Sequence, residues 1–138
     1  MMSKEAKARI KINKLLEEAG WRFFDSTEGP ANIILENNTK ITEQRLNQMG
    51  ENFEHTISGF IDYLLLDERG FPLAVVEAKK EEVNPLFAKE QARKYALAQN
   101  CRFVILSNGN QHYLWDLQRG SPNIITTFPS QGEITTFN

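Results

Sequence analysis

The chain has one cysteine, Cys101, and so cannot close an internal disulfide. A lone thiol suits a reducing cytoplasm, and as a small residue beside a strand start Cys101 needs no chemical role. No apolar run approaches the roughly 18 residues that a membrane helix requires. The opening, MMSKEAKARIK, is charged throughout and lacks the apolar centre of a secretory signal. No glycine is followed by lysine, which excludes a phosphate-binding loop of the G-K-[ST] type. Any nucleotide-driven motor must therefore lie elsewhere. An excess of one charge is also missing: 16 Lys and Arg stand against 18 Asp and Glu, a net charge of −2. The whole surface is not a polybasic binder of nucleic acid, and any anion-binding face must be local.

What is present reads as one α+β domain spanning residues 1–138, a length that suits a single core. Residues 3–19 predict a helix, with Ser3 as cap and Ile10, Leu15, Leu16 and Ala19 as its apolar stripe. Gly20 should end it in a left-handed conformation, with Trp21 folding back on Leu16. Lys4, Lys7, Arg9, Lys11 and Lys14 form a solvated face, or else a face toward phosphates. WRFF and NIILE predict short strands around a DSTEGP loop, and TEQRLNQM a turn or two of helix opened by Thr42. FIDYLLL and FPLAVVEA predict a hairpin turned at DERG. NPLFAKEQARKYALAQN predicts a helix, with Asn84 as cap, Pro85 in the first turn and Asn100 as terminator. CRFVILS follows as a strand, joined to the hairpin by a right-handed parallel crossover. NGN turns the chain into QHYLWDL, and IITTF adds an edge strand. The sum is a central mixed sheet, with an antiparallel hairpin and one parallel crossover, flanked by helices.

A carboxylate and an ammonium run off the end of the most apolar strand, LAVVEAKKEE. Side chains alternate along a strand, so Glu77 and Lys79 fall on one face. Asp62 lies in the partner strand. A loop at Glu68-Arg69, or at residues 67–70, sets it opposite Val75, and a loop at Arg69-Gly70 sets it opposite Glu77. Either way Asp62, Glu77 and Lys79 share a face; a bulged three-residue loop could break this parity. Two half-buried carboxylates side by side repel and lose hydration, and a cation between them resolves both costs. Oxygen-only ligation favours a hard ion, Mg²⁺ first. Lys79 could then hold a phosphate oxygen or orient an attacking water, the chemistry of phosphodiester hydrolysis. A surface salt bridge between Lys79 and a nearby acid is the plainer alternative. Phe87, Gln91 and Tyr95, four apart on the next helix, form an aromatic stripe with an amide at its centre. Arg93 and Lys94 read as solvated charges or as phosphate contacts, and core packing alone could account for Gln91 and Tyr95.

Asp62, fourteen intervening residues, then Glu77-Ala78-Lys79, followed by Gln91-Ala92-Arg93-Lys94-Tyr95, resembles the PD-(D/E)XK nuclease superfamily with its Q-x-x-x-Y element. LLEEAGW, GFIDYLLL, AVVEAKK, EQARKYA and FVILSNGNQHYLWDL in that order resemble the N-terminal endonuclease domain of a type I restriction enzyme R subunit, over roughly residues 8–128. Ile61 stands where the strict motif has proline. The resemblance implies a restriction-endonuclease-like fold and Mg²⁺-dependent cleavage of double-stranded DNA, with Mn²⁺ able to substitute. It implies Asp62, Glu77 and the Ala78 carbonyl as metal ligands and Lys79 as catalytic lysine. Gln91 and Tyr95 would support the site or contact the DNA backbone, and either Glu17 or Glu18 is a candidate further acid. It also implies a helicase-like motor, absent from this chain and the sole user of ATP, together with methyltransferase and specificity subunits. Two other readings share the residues. One is a non-catalytic DNA- or protein-binding module that keeps the fold; the other is a stand-alone repair nuclease or junction resolvase.

Overall fold

The computed structural model describes residues 4–35 and 62–136. The expected Ser3 cap and the helical turns at Thr42 lie outside these residues. The described elements are α1 (Lys4–Glu18), β1 (Ile33–Leu35), β2 (Asp62–Leu66), β3 (Pro72–Ala78), α2 (Lys89–Ala98), β4 (Phe103–Ser107), β5 (His112–Asp116), β6 (Asn123–Ile125) and α3 (Gln131–Thr135). A 3₁₀ turn, Pro85–Ala88, precedes α2. The six strands form one sheet in sequence order. Only β3 and β4 run parallel, joined through α2; the other neighbours are antiparallel. This is the expected mixed α+β sheet.

Helices cover both faces, which is why β3 and β4 are apolar without alternation. On one face Ile12 and Leu16 of α1 pack with Trp21, Phe23, Tyr63, Val76, Ile105, Phe128 and Ile134. On the other, Ala88, Ala92 and Ala96 lie against Leu64, Val75, Val104 and Leu106. Three alanines spaced by four let α2 sit close to the sheet.

Helix α1 ends as its sequence predicts. Gly20 has φ +94°, the Trp21 amide donates to Leu16 O at 3.0 Å, and Leu16 and Trp21 share a core cluster. Its apolar face keeps Leu16, with Leu15 and Ala19 packed against the same core, and departs from expectation elsewhere. Ala8, Ile12 and Leu16 are the buried positions, whereas Ile10 is exposed. Arg9 is not a solvated charge: it is buried with its guanidinium 3.8 Å over the Tyr63 ring. Burial pushes the Tyr63 hydroxyl, which donates to Asn13, up to about 12.

WRFF forms no strand. Trp21 and Phe23 are buried in a bend, and Asn32 ties it down by accepting from the Arg22 amide at 2.7 Å. The tail also packs: Ser130 and Glu133 make a reciprocal capping box, Ile134 is fully buried, and the Trp21 indole donates to Pro129 O at 2.8 Å.

Candidate functional site

The hairpin sets the site. Asp62 pairs with Glu77, Tyr63 with Val76, Leu64 with Val75 and Leu65 with Ala74; Leu66 then pairs with Pro72. The turn itself has three residues, 68–70, closed where the Asp67 amide donates to Phe71 O at 2.8 Å. Continued down the strands, that closure would set Asp62 opposite Val76, on the wrong face. The bulge between Leu65 and Leu66 takes up one extra residue on β3 and restores the parity. Asp62 and Glu77 are therefore direct cross-strand partners, the closer of the arrangements the sequence allows.

Glu77 lies on the face covered by α2, between Asp62 on β2 and Leu106 on β4, and is fully buried with both carboxylate oxygens inside. Lys79 is the first residue beyond Ala78, half-buried, its amide donating to Ser107 O at 2.9 Å. Burial pulls the Lys79 ammonium below its usual value; the Glu77 charge opposes this and Lys80 adds to it. The ammonium thus sits in the field of the buried carboxylate. Ala78 buries its methyl against the α1 face, so only its backbone carbonyl is available to the site.

The parallel crossover brings the start of α2 to the strand ends that carry Glu77 and Lys79. The expected single helix is broken, however. Asn84 caps the 3₁₀ turn by accepting from the Leu86 amide, and the α-helix starts only at Lys89. Phe87 is 80% exposed, Gln91 is exposed and Tyr95 is half-buried beside the α2 cluster. These three residues do not form a buried stripe, and Gln91 is not a buried amide in need of a protein partner. Arg93 pairs with Glu90 at 3.1 Å, while Lys94 is exposed.

Glu17 and Glu18 are not brought to Glu77. Both are exposed in the last turn of α1, on the other side of the sheet. The part of α1 that reaches the site end is Ala8 to Lys11: Ala8 lies against Gly109, and Lys11 bonds Glu81 and Asn110, each at 2.9 Å. Among the described side chains of the first helix, it is the Lys11 cation that arrives there. By contrast, a cleft lined by Arg22, Asn32, Leu66, Asp67 and Gln131 opens at the turn end of the hairpin, far from Lys79.

The donor set offered by Glu77, the register position of Asp62 and the Ala78 carbonyl is all oxygen, which fits a hard divalent cation. The described side chains alone gather no three His, Cys, Asp or Glu residues, and Asp62 enters by backbone position.

Residues 34–129 match the family model described as the type I restriction enzyme R protein N terminus. No curated protein matches. A solved fragment assigned as an HsdR subunit of a type I restriction enzyme from Vibrio vulnificus YJ016 superposes with a TM-score of 0.63 and 22% identity. The alignment covers 97% of this chain and 25% of that one, so this chain spans about a quarter of that fragment; the likeness shows a shared fold. No helix among the described residues is long and apolar enough to cross a membrane. The family match runs from β1 through β6 and takes in Asp62, Glu77, Lys79, Gln91 and Tyr95, leaving α1 outside it: the chain belongs to the family of type I restriction enzyme R protein N termini.

Proposed function

We propose that this domain is a PD-(D/E)XK-type endonuclease that hydrolyses phosphodiester bonds of double-stranded DNA within a type I restriction enzyme. The observation that carries the reading is the fully buried Glu77 carboxylate, in register with Asp62, with the Lys79 ammonium in its field. A buried charge costs several kcal/mol unless something compensates it. A divalent cation held beside Glu77 would supply such compensation and support this reading.

Asp62, Glu77 and the Ala78 carbonyl would hold Mg²⁺, or Mn²⁺ in its place, which when bound lowers the pKa of water and offsets charge building on phosphorus. Glu77 contributes negative charge fixed in a dry setting, where it is little screened. Lys79, half-exposed at the strand end, can reach outward to a phosphate oxygen and orient the attacking water. Gln91 and Tyr95 stand on the first turns of α2, the nearest helical surface, where they can contact the DNA backbone. Such contacts set position and carry no base identity. Recognition then falls to a specificity subunit, DNA translocation to an ATP-driven helicase-like motor beyond this chain, and modification to a methyltransferase subunit, in a cytoplasmic assembly.

The test is cleavage by the assembled enzyme carrying Glu77→Ala or Lys79→Ala, with calorimetric Mn²⁺ titration of this chain against Asp62→Ala. Loss of cutting in a folded domain, and loss of Mn²⁺ binding, are expected. Normal cutting by either variant overturns the assignment.

A further inference from the structure

The loop after Lys79 is held by a residue that the nuclease motif does not contain. Asn108 opens the turn between β4 and β5 and is buried. Its Oδ1 accepts from the Asn110 and Gln111 amides at 2.9 and 2.7 Å, which shapes that turn. Its Nδ2 donates to Glu81 O and Val83 O at 3.2 and 2.9 Å, across to the loop that leaves β3. One amide thus makes four bonds, two to each segment, which is the full capacity of the group.

Two further contacts act on the same loop. The Lys79 amide donates to Ser107 O, adjacent to Asn108, and Lys11 bridges Glu81 to Asn110. Gly109, at φ +91°, brings the turn against α1, where a Cβ would meet Ala8 at 3.2 Å. The β4–β5 turn is therefore anchored to α1 on one side and grips residues 79–83 on the other.

We infer that Asn108 is a positioning residue for the proposed nuclease: it fixes residues 79–83 and thereby the direction of the Lys79 ammonium, without touching substrate. This inference rests on the nuclease reading of Glu77 and Lys79. A reacting group displaced by about 1 Å can lose on the order of 100-fold in rate, so a loop clamp acts on turnover rather than on DNA affinity.

Asn108→Asp separates the two halves of the residue. A carboxylate still accepts from the Asn110 and Gln111 amides but cannot donate to Glu81 O or Val83 O. Amide hydrogen exchange on this chain should quicken at Lys79 and Val83 and stay unchanged in the strands. In the assembled enzyme kcat should fall roughly 10- to 100-fold, with KM for DNA within about twofold. Asn108→Ala, which also loses the turn, should quicken exchange at Asn110 and Gln111 as well.

Unchanged exchange at 79–83 in Asn108→Asp overturns the clamp. Protection lost across the whole sheet overturns it too, since Asn108 would then be a residue of the fold. Faster loop exchange with unaltered kcat removes the positioning role and leaves the nuclease reading intact. A wild-type enzyme that cuts no DNA removes both.

Discussion

Asp62 and Glu77 face each other across the hairpin because two irregularities cancel: a three-residue turn shifts the register by one, and a bulge at Leu65/Leu66 shifts it back. Either alone would send the two acids to opposite faces, since a one-residue slip inverts every side chain of a strand. The register can be read chemically. Cα atoms of directly opposed residues lie about 4.5–5.5 Å apart, within the span of a disulfide. Asp62→Cys combined with Glu77→Cys should oxidise to an intramolecular crosslink; Asp62→Cys with Val76→Cys should not. Non-reducing peptide mapping decides it, and Cys101, buried on the α2 side, is the only native thiol to be tracked.

Glu77→Gln tests what the buried charge is for. The change keeps the shape and removes the charge from a fully buried position. Without metal, the variant should melt close to wild type, because relief of the carboxylate's burial cost offsets the loss of its attraction to Lys79. With Mg²⁺ at about 100 times its dissociation constant, wild type should gain about 2.7 kcal/mol and Glu77→Gln should gain nothing. Thermal melts with and without Mg²⁺ measure both. A variant stabilised as much as wild type would detach Glu77 from the metal.

The sequence carried the hairpin, the crossover and the C-terminal ends of both long helices because each rests on local chemistry, with Gly20 at φ +94° and Asn100 at φ +59°; Asn84 and Pro85 were legible as a start, but of the 3₁₀ turn and not of α2. Alternation put Glu77 on a definite face of β3, but Asp62 stands opposite it only because the turn and the bulge compensate, and nothing in the sequence announces the bulge. What it hid was tertiary. Arg9 looks like any helix-surface cation and is buried because Tyr63 offers it a ring face. Ile10 looks like core and faces outward, since Ala8, Ile12 and Leu16 fit the sheet better. Ala88, Ala92 and Ala96 give no hydropathy signal, yet they are the face that α2 buries, and the larger Phe87 beside them is left outside. Asn108 reads as a turn residue, and nothing in NGN announces the loop 25 residues upstream that it grips.

The alanine face of α2 makes a prediction of inverted appearance. Phe87→Ser removes a large aromatic and should change stability by less than about 0.5 kcal/mol, because the ring is 80% exposed. Ala92→Leu adds only an aliphatic side chain and should cost about 1–3 kcal/mol by forcing the helix off Leu64, Val75 and Val104. Urea unfolding of the two variants settles the order; the reverse order would mean that α2 is rotated.

Acid should weaken the β4–β5 end of the sheet through His112. The imidazole is buried, stands edge-on to Phe128 and lies 2.8 Å from Ser107 Oγ through Nδ1. Gly109 N donates to that same hydroxyl oxygen, which leaves the hydroxyl proton available to an unprotonated Nδ1. Burial lowers the His112 pKa below its ordinary 6.5, against a smaller opposing pull from a hydrogen bond to the Gln111 backbone. The unfolded chain therefore takes up the proton first, and stability should fall as pH drops from about 6.5 through the lower folded value. His112→Asn places a non-titrating acceptor near Nδ1 and should flatten the curve in that window while losing some packing against Phe128. Chemical denaturation from pH 7.5 to 5 checks the sign. A slope that survives the substitution would assign the acid sensitivity to another group.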